Sequence, residues 1–283
     1  LKPIAHYNSN SGLRVDNVRS IYQDKNGIIW AGLDDGISKI NENSKFKFYD
    51  LKSSNLNSRV RSLNVYQDHL YAGTNVDLKK LVLDKNGKLK ESFIQIGKEK
   101  LNTQIWETFI SNNKLLIGSN AGLGVIDNSE NYELAINKKD IGIVFEIIES
   151  KIFKDYLLVR SKKGIFLINK FNLKDYRKIY KGSGVGYLKE LEERDEIWFR
   201  VSKKGIFRFR IENNNINKTK FDEKIFTKGK VKLFYINNNL IFYANKNYLE
   251  YDFLKERFKQ SDLFSKIIKI KNKEILDLKK TNS

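Results

Sequence analysis

The chain has no cysteine, no methionine, one proline and two histidines in 283 residues. Without cysteine there is no disulfide framework, no thiol nucleophile and no thiolate metal site. His6 and His69 alone leave little for transition-metal ligation or a catalytic triad, so neither a metal nor a cofactor is expected. No apolar run reaches the roughly 18 residues of a membrane-spanning helix. The chain opens at Leu1, with neither an initiator methionine nor a charged-then-apolar leader. That start suggests an excised or processed part of a longer protein. Acidic residues are also in deficit, 34 Asp and Glu against 53 Lys and Arg, for a formal charge of +19. The excess either serves an anionic partner or reflects a chain rich in Lys, Asn and Ile throughout, as an AT-rich coding sequence produces. The basic residues are spread along the chain with no nucleic-acid reading motif, so no nucleic-acid partner is expected.

What the chain does have is a repeated unit, clearest in Gly12 to Tyr49. Four short strands, VRSIYQ, IIWAGL, ISKIN and KFKFY, are separated by the turns DKNG and LDDG and by the polar ENSK. Asn-Gly and Asp-Gly suit tight turns, and alternating or β-branched apolar residues between them mark strands. The third strand opens at Gly36, and matching positions follow at Asp77, Gly122, Gly164, Gly205 and Asn247. Their spacings are 41, 45, 42, 41 and 42 residues. The first strands open in step at Val18, Val60, Ile105, Val144, Val185 and Val231. Four strands per unit of about 40–45 residues is the signature of an all-β propeller. The six copies span approximately 10–50, 56–96, 101–137, 142–180, 184–225 and 229–260. Terminal strands at 2–7 and 265–278 would share a further blade, giving a single domain of about seven blades that is split or truncated at its ends.

The run VRSIYQDKNGIIWAGLDDGI resembles the two-component regulator propeller repeat, with apolar–x–x–apolar followed by QD–x–x–G–x–x–W–x–G–x–x–x–G. Copy two keeps the strands, and copy three keeps LLIGSNAGL. Copies four to six replace the second-strand glycine with Arg160, Arg200 and Ala244. The resemblance implies the extracytoplasmic sensor half of a histidine kinase or related signalling protein, on the periplasmic or extracellular side of a membrane-anchored bacterial protein. It also implies glycan ligands, with an immunoglobulin-like domain and a kinase or other output domain outside this chain, and a possible homodimer.

Two constellations bear on chemistry. Asp24 of DKNG with Trp30 beyond it also resembles the Asp-box hairpin of sialidases. Its physical use is a capped turn, Asp24 accepting backbone N–H bonds while Trp30 packs between sheets. A sialidase needs an arginine cluster; Arg19 and Arg61 are equivalent in their copies, but the next positions are Trp106, Phe145, Gly186 and Lys232. No catalytic residue is assigned. Binding has better support. The turns between second and third strands hold Asp34 and Asp35, Asn75, Asn120, Lys162 and Lys163, Lys203 and Lys204, and Lys246. These should share a face with the loops joining one copy to the next, where Lys181, Lys228 and Lys230 lie. Arg19, Arg61 and Lys232 would line the central channel at the same mouth, with Trp106 as a flat platform. Converging cations focus attraction for an anion, and an aromatic surface holds a sugar ring. The expectation is therefore a non-enzymatic sensor domain that binds an oligosaccharide or other small ligand, anionic ligands included. A protein-interaction scaffold without a small ligand is the alternative, and a glycan hydrolase or lyase is third.

Overall fold

The computed structural model describes residues 7–8, 13, 15–25, 27–41, 44–49, 59–83, 89–93, 95–96, 99–129, 131–213, 215–228, 231–236, 238–245 and 247–261. The chain divides into two compact units, residues 2–181 and 182–283. Both are built from the same four-stranded antiparallel sheet, here called a blade, with strands in sequence order from inner to outer.

The first unit holds four blades. Blade 1 is β1 (Val18–Gln23), β2 (Ile29–Leu33), β3 (Gly36–Asn41) and β4 (Ser44–Tyr49). Blade 2 is β5 (Val60–Tyr66), β6 (His69–Thr74), β7 (Leu78–Leu83) and β8 (Leu89–Phe93), followed by a small hairpin, β9 (Gln95–Ile96) and β10 (Glu99–Lys100). Blade 3 is β11 (Ile105–Ser111), β12 (Lys114–Ser119), β13 (Gly122–Ile126) and β14 (Tyr132–Asn137). Blade 4 is β15 (Val144–Glu149), β16 (Tyr156–Ser161), β17 (Gly164–Asn169) and β18 (Tyr176–Lys181). The second unit holds blade 5, β19 (Val185–Leu191), β20 (Glu196–Val201), β21 (Gly205–Glu212) and β22 (Asn215–Phe221). Blade 6 is β23 (Val231–Ile236), β24 (Asn239–Ala244), β25 (Asn247–Asp252) and β26 (Arg257–Gln260).

Each inner strand opens at the residue that the repeat marks. The terminal strands expected at 2–7 and 265–278 lie outside the described residues, apart from Tyr7.

No blade buries both faces alone, and the second strands show how neighbours close on one another. Trp30 and Ile37 of blade 1 pack with Val60, Leu63 and Ala72 of blade 2. Tyr71 and Leu78 of blade 2 pack with Ile105 and Ile117 of blade 3, and Leu116 of blade 3 with Val144, Ile147 and Phe166 of blade 4. In the second unit Trp198 of blade 5 meets Val231, Phe242 and Tyr251 of blade 6. Full burial of one such side chain stabilises by about 1.5–3 kcal/mol. The approach is tight enough to need glycine in β6: a Cβ on Gly73 would stand 2.6 Å from Ile105 Cγ2 of the next blade.

The marker glycine that opens the third strand has a different cause. Gly164 sits at φ +136, and a Cβ there would lie 1.9 Å from the Tyr180 carbonyl of β18. At Gly164 only a residue without Cβ fits so close to the outer strand, whereas Asp77 and Asn247 hold the marker position in blades 2 and 6.

The Asp24 turn behaves as its sequence suggests. Asp24 Oδ1 accepts from the Ile28 N–H and Oδ2 from Trp30 Nε1, both at 3.1 Å. Trp30 is buried in the joint between blades 1 and 2. The second DKNG, Asp84 to Gly87, lies outside the described residues.

Candidate ligand-binding site

Blades 1 to 4 share an irregularity at the second residue of the inner strand. The register slips between Val18 and Ser20, Val60 and Ser62, Ile105 and Glu107, and Val144 and Glu146. The residue inside each slip is the extra one of a β-bulge, left out of the ladder and free to re-aim its side chain. These residues are Arg19, Arg61, Trp106 and Phe145.

The first three turn to the same place. Arg19 Nε and Nη2 donate to Asp34 Oδ1 and Oδ2 at 2.6 and 2.7 Å. Arg61 Nε donates to Asn75 Oδ1 at 2.6 Å, and Trp106 Nε1 to Asn120 Oδ1 at 2.8 Å. The acceptors are equivalent by backbone as well. The N–H groups of Asp34, Asn75 and Asn120 donate to the carbonyls of Asn17, Arg59 and Gln104, each two residues before the bulge. Lys162 repeats that backbone bond in blade 4, to Ile143. There Arg160, in place of the second-strand glycine, donates to Glu146 at 2.7 Å with its guanidinium 5.4 Å from the Phe145 ring.

Lateral contacts join the bulges into a row. Arg59 Nε lies 2.5 Å from Asp34 Oδ1, tying blade 2 to blade 1. The Arg61 guanidinium lies 4.3 Å from the Trp106 ring centroid, and Trp106 meets Phe145 edge-on at 5.1 Å. The Gln104 amide, oriented with its oxygen inward, accepts from Arg61 at 3.0 and 3.1 Å. Trp106 is thus not a bare platform: Arg61 already covers one face, an attraction worth about 0.5–2 kcal/mol.

The charges do not balance along this row. Arg19 and Arg59 meet the carboxylate of Asp34, and the charge of Arg61 acts on it from nearby. The Arg19 hydrogen bond, aided by the charges of Arg19, Arg59 and Arg61, holds Asp34 below the ordinary carboxylate value of 3.8. Burial, then repulsion from Arg59 and Arg19, pushes Arg61 down from its ordinary value. Such a corner favours an incoming anion.

Other candidates divide between the two units. Asp35 follows Asp34 in the turn and is half-buried. Lys162 and Lys163 are exposed, and Lys163 Nζ donates to the Lys139 carbonyl in the loop between blades 3 and 4. The Lys138 N–H donates to the Ala121 carbonyl. The second-to-third-strand turns and the loop between blades 3 and 4 therefore share a face in the first unit, as expected. In the second unit Lys203 and Lys204 are exposed in the β20–β21 turn. Lys232 differs from expectation. Blade 6 has no bulge, Lys232 pairs in regular register with Tyr243, and its side chain is buried. Lys246 lies outside the described residues.

Arg59 and Gln104 were not among the sequence candidates, though each stands two residues before a bulged candidate. Among the described residues no cluster of three or more His, Asp or Glu could hold a metal.

Residues 12–35 match the family model described as two component regulator propeller. That stretch is similar to a two-component regulator propeller repeat. That repeat contains the first bulge residue, Arg19, the Asp24–Trp30 turn and the acceptor Asp34. No curated protein matches the chain by sequence. Among solved structures, the extracellular domain of a hybrid two component system from B. thetaiotaomicron is 17% identical with a TM-score of 0.59. That match covers 90% of this chain and 36% of the other, so the chain spans about a third of that domain's length. Catalytically inactive virginiamycin B lyase from Staphylococcus aureus, solved with quinupristin, is 15% identical with a TM-score of 0.58, covering 86% and 83%. The β-propeller domain of Cps50 from Myceliophteria thermophila is 12% identical with a TM-score of 0.54, covering 87% of each chain. These likenesses, with six four-stranded blades, make the fold that of a β-propeller. No helix among the described residues is long and apolar enough to cross a membrane.

Proposed function

We propose that this chain is the ligand-binding sensor domain of a two-component-type signalling protein, acting outside the cytoplasm. Its ligand is an oligosaccharide or similar small molecule bound on the face that carries the bulge row. The observation that carries the reading is the row itself. Four blades re-aim one inner-strand residue each toward a common face, and those residues are two arginines, a tryptophan and a phenylalanine. Cation, indole and amide groups at one level suit a polar ring with apolar faces. Lys162 and Lys163, exposed on that face, supply further cations for an acidic ligand.

The signal passes to a fused output domain, through an immunoglobulin-like neighbour and possible homodimerisation outside this chain. A ligand shifts such a system only by binding two arrangements with different affinity. The chain itself performs no catalysis in this reading. His69 opens β6 at the far end from Asn75, roughly 20 Å away at about 3.3 Å per strand residue. It therefore gives no general base beside the row.

A second reading, a protein-interaction scaffold, is favoured by two apolar side chains at hairpin tips: Phe171 at 59% and Leu254 at 97% exposure. A thermal-shift screen against neutral and acidic oligosaccharides separates the two. Sensing predicts stabilisation of about 2.7 kcal/mol at one hundred times the dissociation constant. No shift from any sugar, together with a stable complex with a protein, supports the scaffold.

A further inference from the structure

Blade 1 is where the row is most highly charged, and where its acceptor departs from the pattern. Blades 2 and 3 place Asn75 and Asn120 opposite the bulge; blade 1 places a carboxylate, Asp34. We infer that the corner formed by Arg19, Arg59 and Arg61 takes a carboxylate of the ligand, such as that of a sugar acid, and that Asp34 is a built-in competitor for it. This rests on the sensor reading above.

Three observations support it. Asp34 shows that the corner accepts a planar carboxylate, because the Arg19 fork chelates both its oxygens at 2.6 and 2.7 Å. Fork geometry of this kind selects carboxylates over point-like anions. Arg59 reaches the same carboxylate through Nε, and its side chain is 39% exposed. Arg19 and Arg59 share the one Asp34 carboxylate, and repulsion from both acts on Arg61. A ligand carboxylate relieves that repulsion by meeting Arg59 and Arg61, or by displacing Asp34 from Arg19.

Competition makes an unusual prediction: removing an acidic residue at the site should tighten binding of an acidic ligand. Asp34→Asn is the variant to use. Asparagine holds the same turn position with the same backbone bond in blades 2 and 3, and Asn75 shows that it still accepts from the bulge arginine. A thermal melt without ligand verifies folding of each variant. The probes are a disaccharide ending in glucuronic acid, its neutral methyl ester and a sulfated disaccharide of the same size, each titrated calorimetrically.

The acid should bind the unsubstituted protein at least about tenfold more tightly than its ester. Asp34→Asn should tighten the acid several-fold, and Arg59→Gln should weaken it. The inference is overturned if folded Asp34→Asn binds the acid no better than the parent, or if none of the probes binds. A sulfated sugar that binds more tightly than the acid overturns the carboxylate assignment. Equal binding of acid and ester also overturns it, while leaving sensing of a sugar intact.

Discussion

Asp34 holds Arg19 on both oxygens and Arg59 on one, so protonating it has a cost. Its folded-state pKa lies below the ordinary 3.8, first through the Arg19 hydrogen bond. A depressed carboxylate contributes stability that is fully present above its ordinary value and is lost as pH falls through its folded value. The unsubstituted protein should therefore lose stability on acidification from about pH 4 downward more steeply than Asp34→Asn. At neutral pH Asp34→Asn should be the less stable by about 1 kcal/mol, because a partly exposed ion pair contributes no more than that. The two proteins should converge in acid. Denaturant melts between pH 7 and pH 2.5 check this; parallel curves would remove Asp34 from the electrostatic account. The same substitution thus weakens the empty fold while strengthening capture of an acid, as expected of a residue that holds a ligand's place.

At the scale of the strand, the bulge decides which residues face the site. A regular strand buries alternate residues, yet blade 2 buries Val60 and Leu63, three apart, and blade 4 buries Val144 and Ile147. In these two blades the extra residue of the bulge lies between the buried pair. Equivalence in the repeat put Arg19, Arg61 and Trp106 at one position, but the bulge that turns them was not legible: Ile21, three residues after Val18, is 57% exposed in bulged blade 1. In blade 6 Val231 to Phe234 are all buried in regular register, so the same three-residue spacing comes without a bulge and Lys232 turns inward. Treating all six copies as equivalent misplaced that one lysine. Arg59 and Gln104 were missed because they precede the strands proper, although residues two apart share a side of an extended chain. The pairing of Trp106 with Arg61 was not legible, since it joins residues of two blades.

The second-strand glycine is an element-scale test. Gly73→Ala puts a methyl 2.4 Å from Ser62 Oγ and 2.6 Å from Ile105 Cγ2. It should destabilise by about 1–3 kcal/mol by wedging blades 2 and 3 apart. Gly186→Ala, whose Cβ would meet nothing within 4 Å, should change stability by less than about 0.5 kcal/mol. Urea midpoints that ranked the two variants in the other order would contradict this packing. The outer strands have a different use for charge. Arg177, Lys178, Lys218, Lys220, Arg257 and Lys259 are exposed on β18, β22 and β26. Charges there deter edge-to-edge pairing with another sheet, which accounts for part of the basic excess without any ligand.

Across the whole molecule, one part of the formal charge of +19 lies on the outer strands and another at the row of bulges. Only the second should respond to a small acidic ligand, and its contribution to binding should fall with salt as the field is screened. The repeat period made the blades legible throughout the chain. The arrangement of side chains on their common face depended on bulge geometry and on contacts between neighbouring blades. The most direct measurement is calorimetric titration of the most stabilising acidic oligosaccharide from the screen, at 50 and 300 mM salt, into the unsubstituted protein and Arg61→Ala. The account predicts saturable binding that weakens with salt and a loss of about tenfold or more in Arg61→Ala, or about 1.4 kcal/mol. Equal affinity for the two proteins, with both folded, would place the ligand elsewhere and contradict the assignment of the bulge row as the binding site.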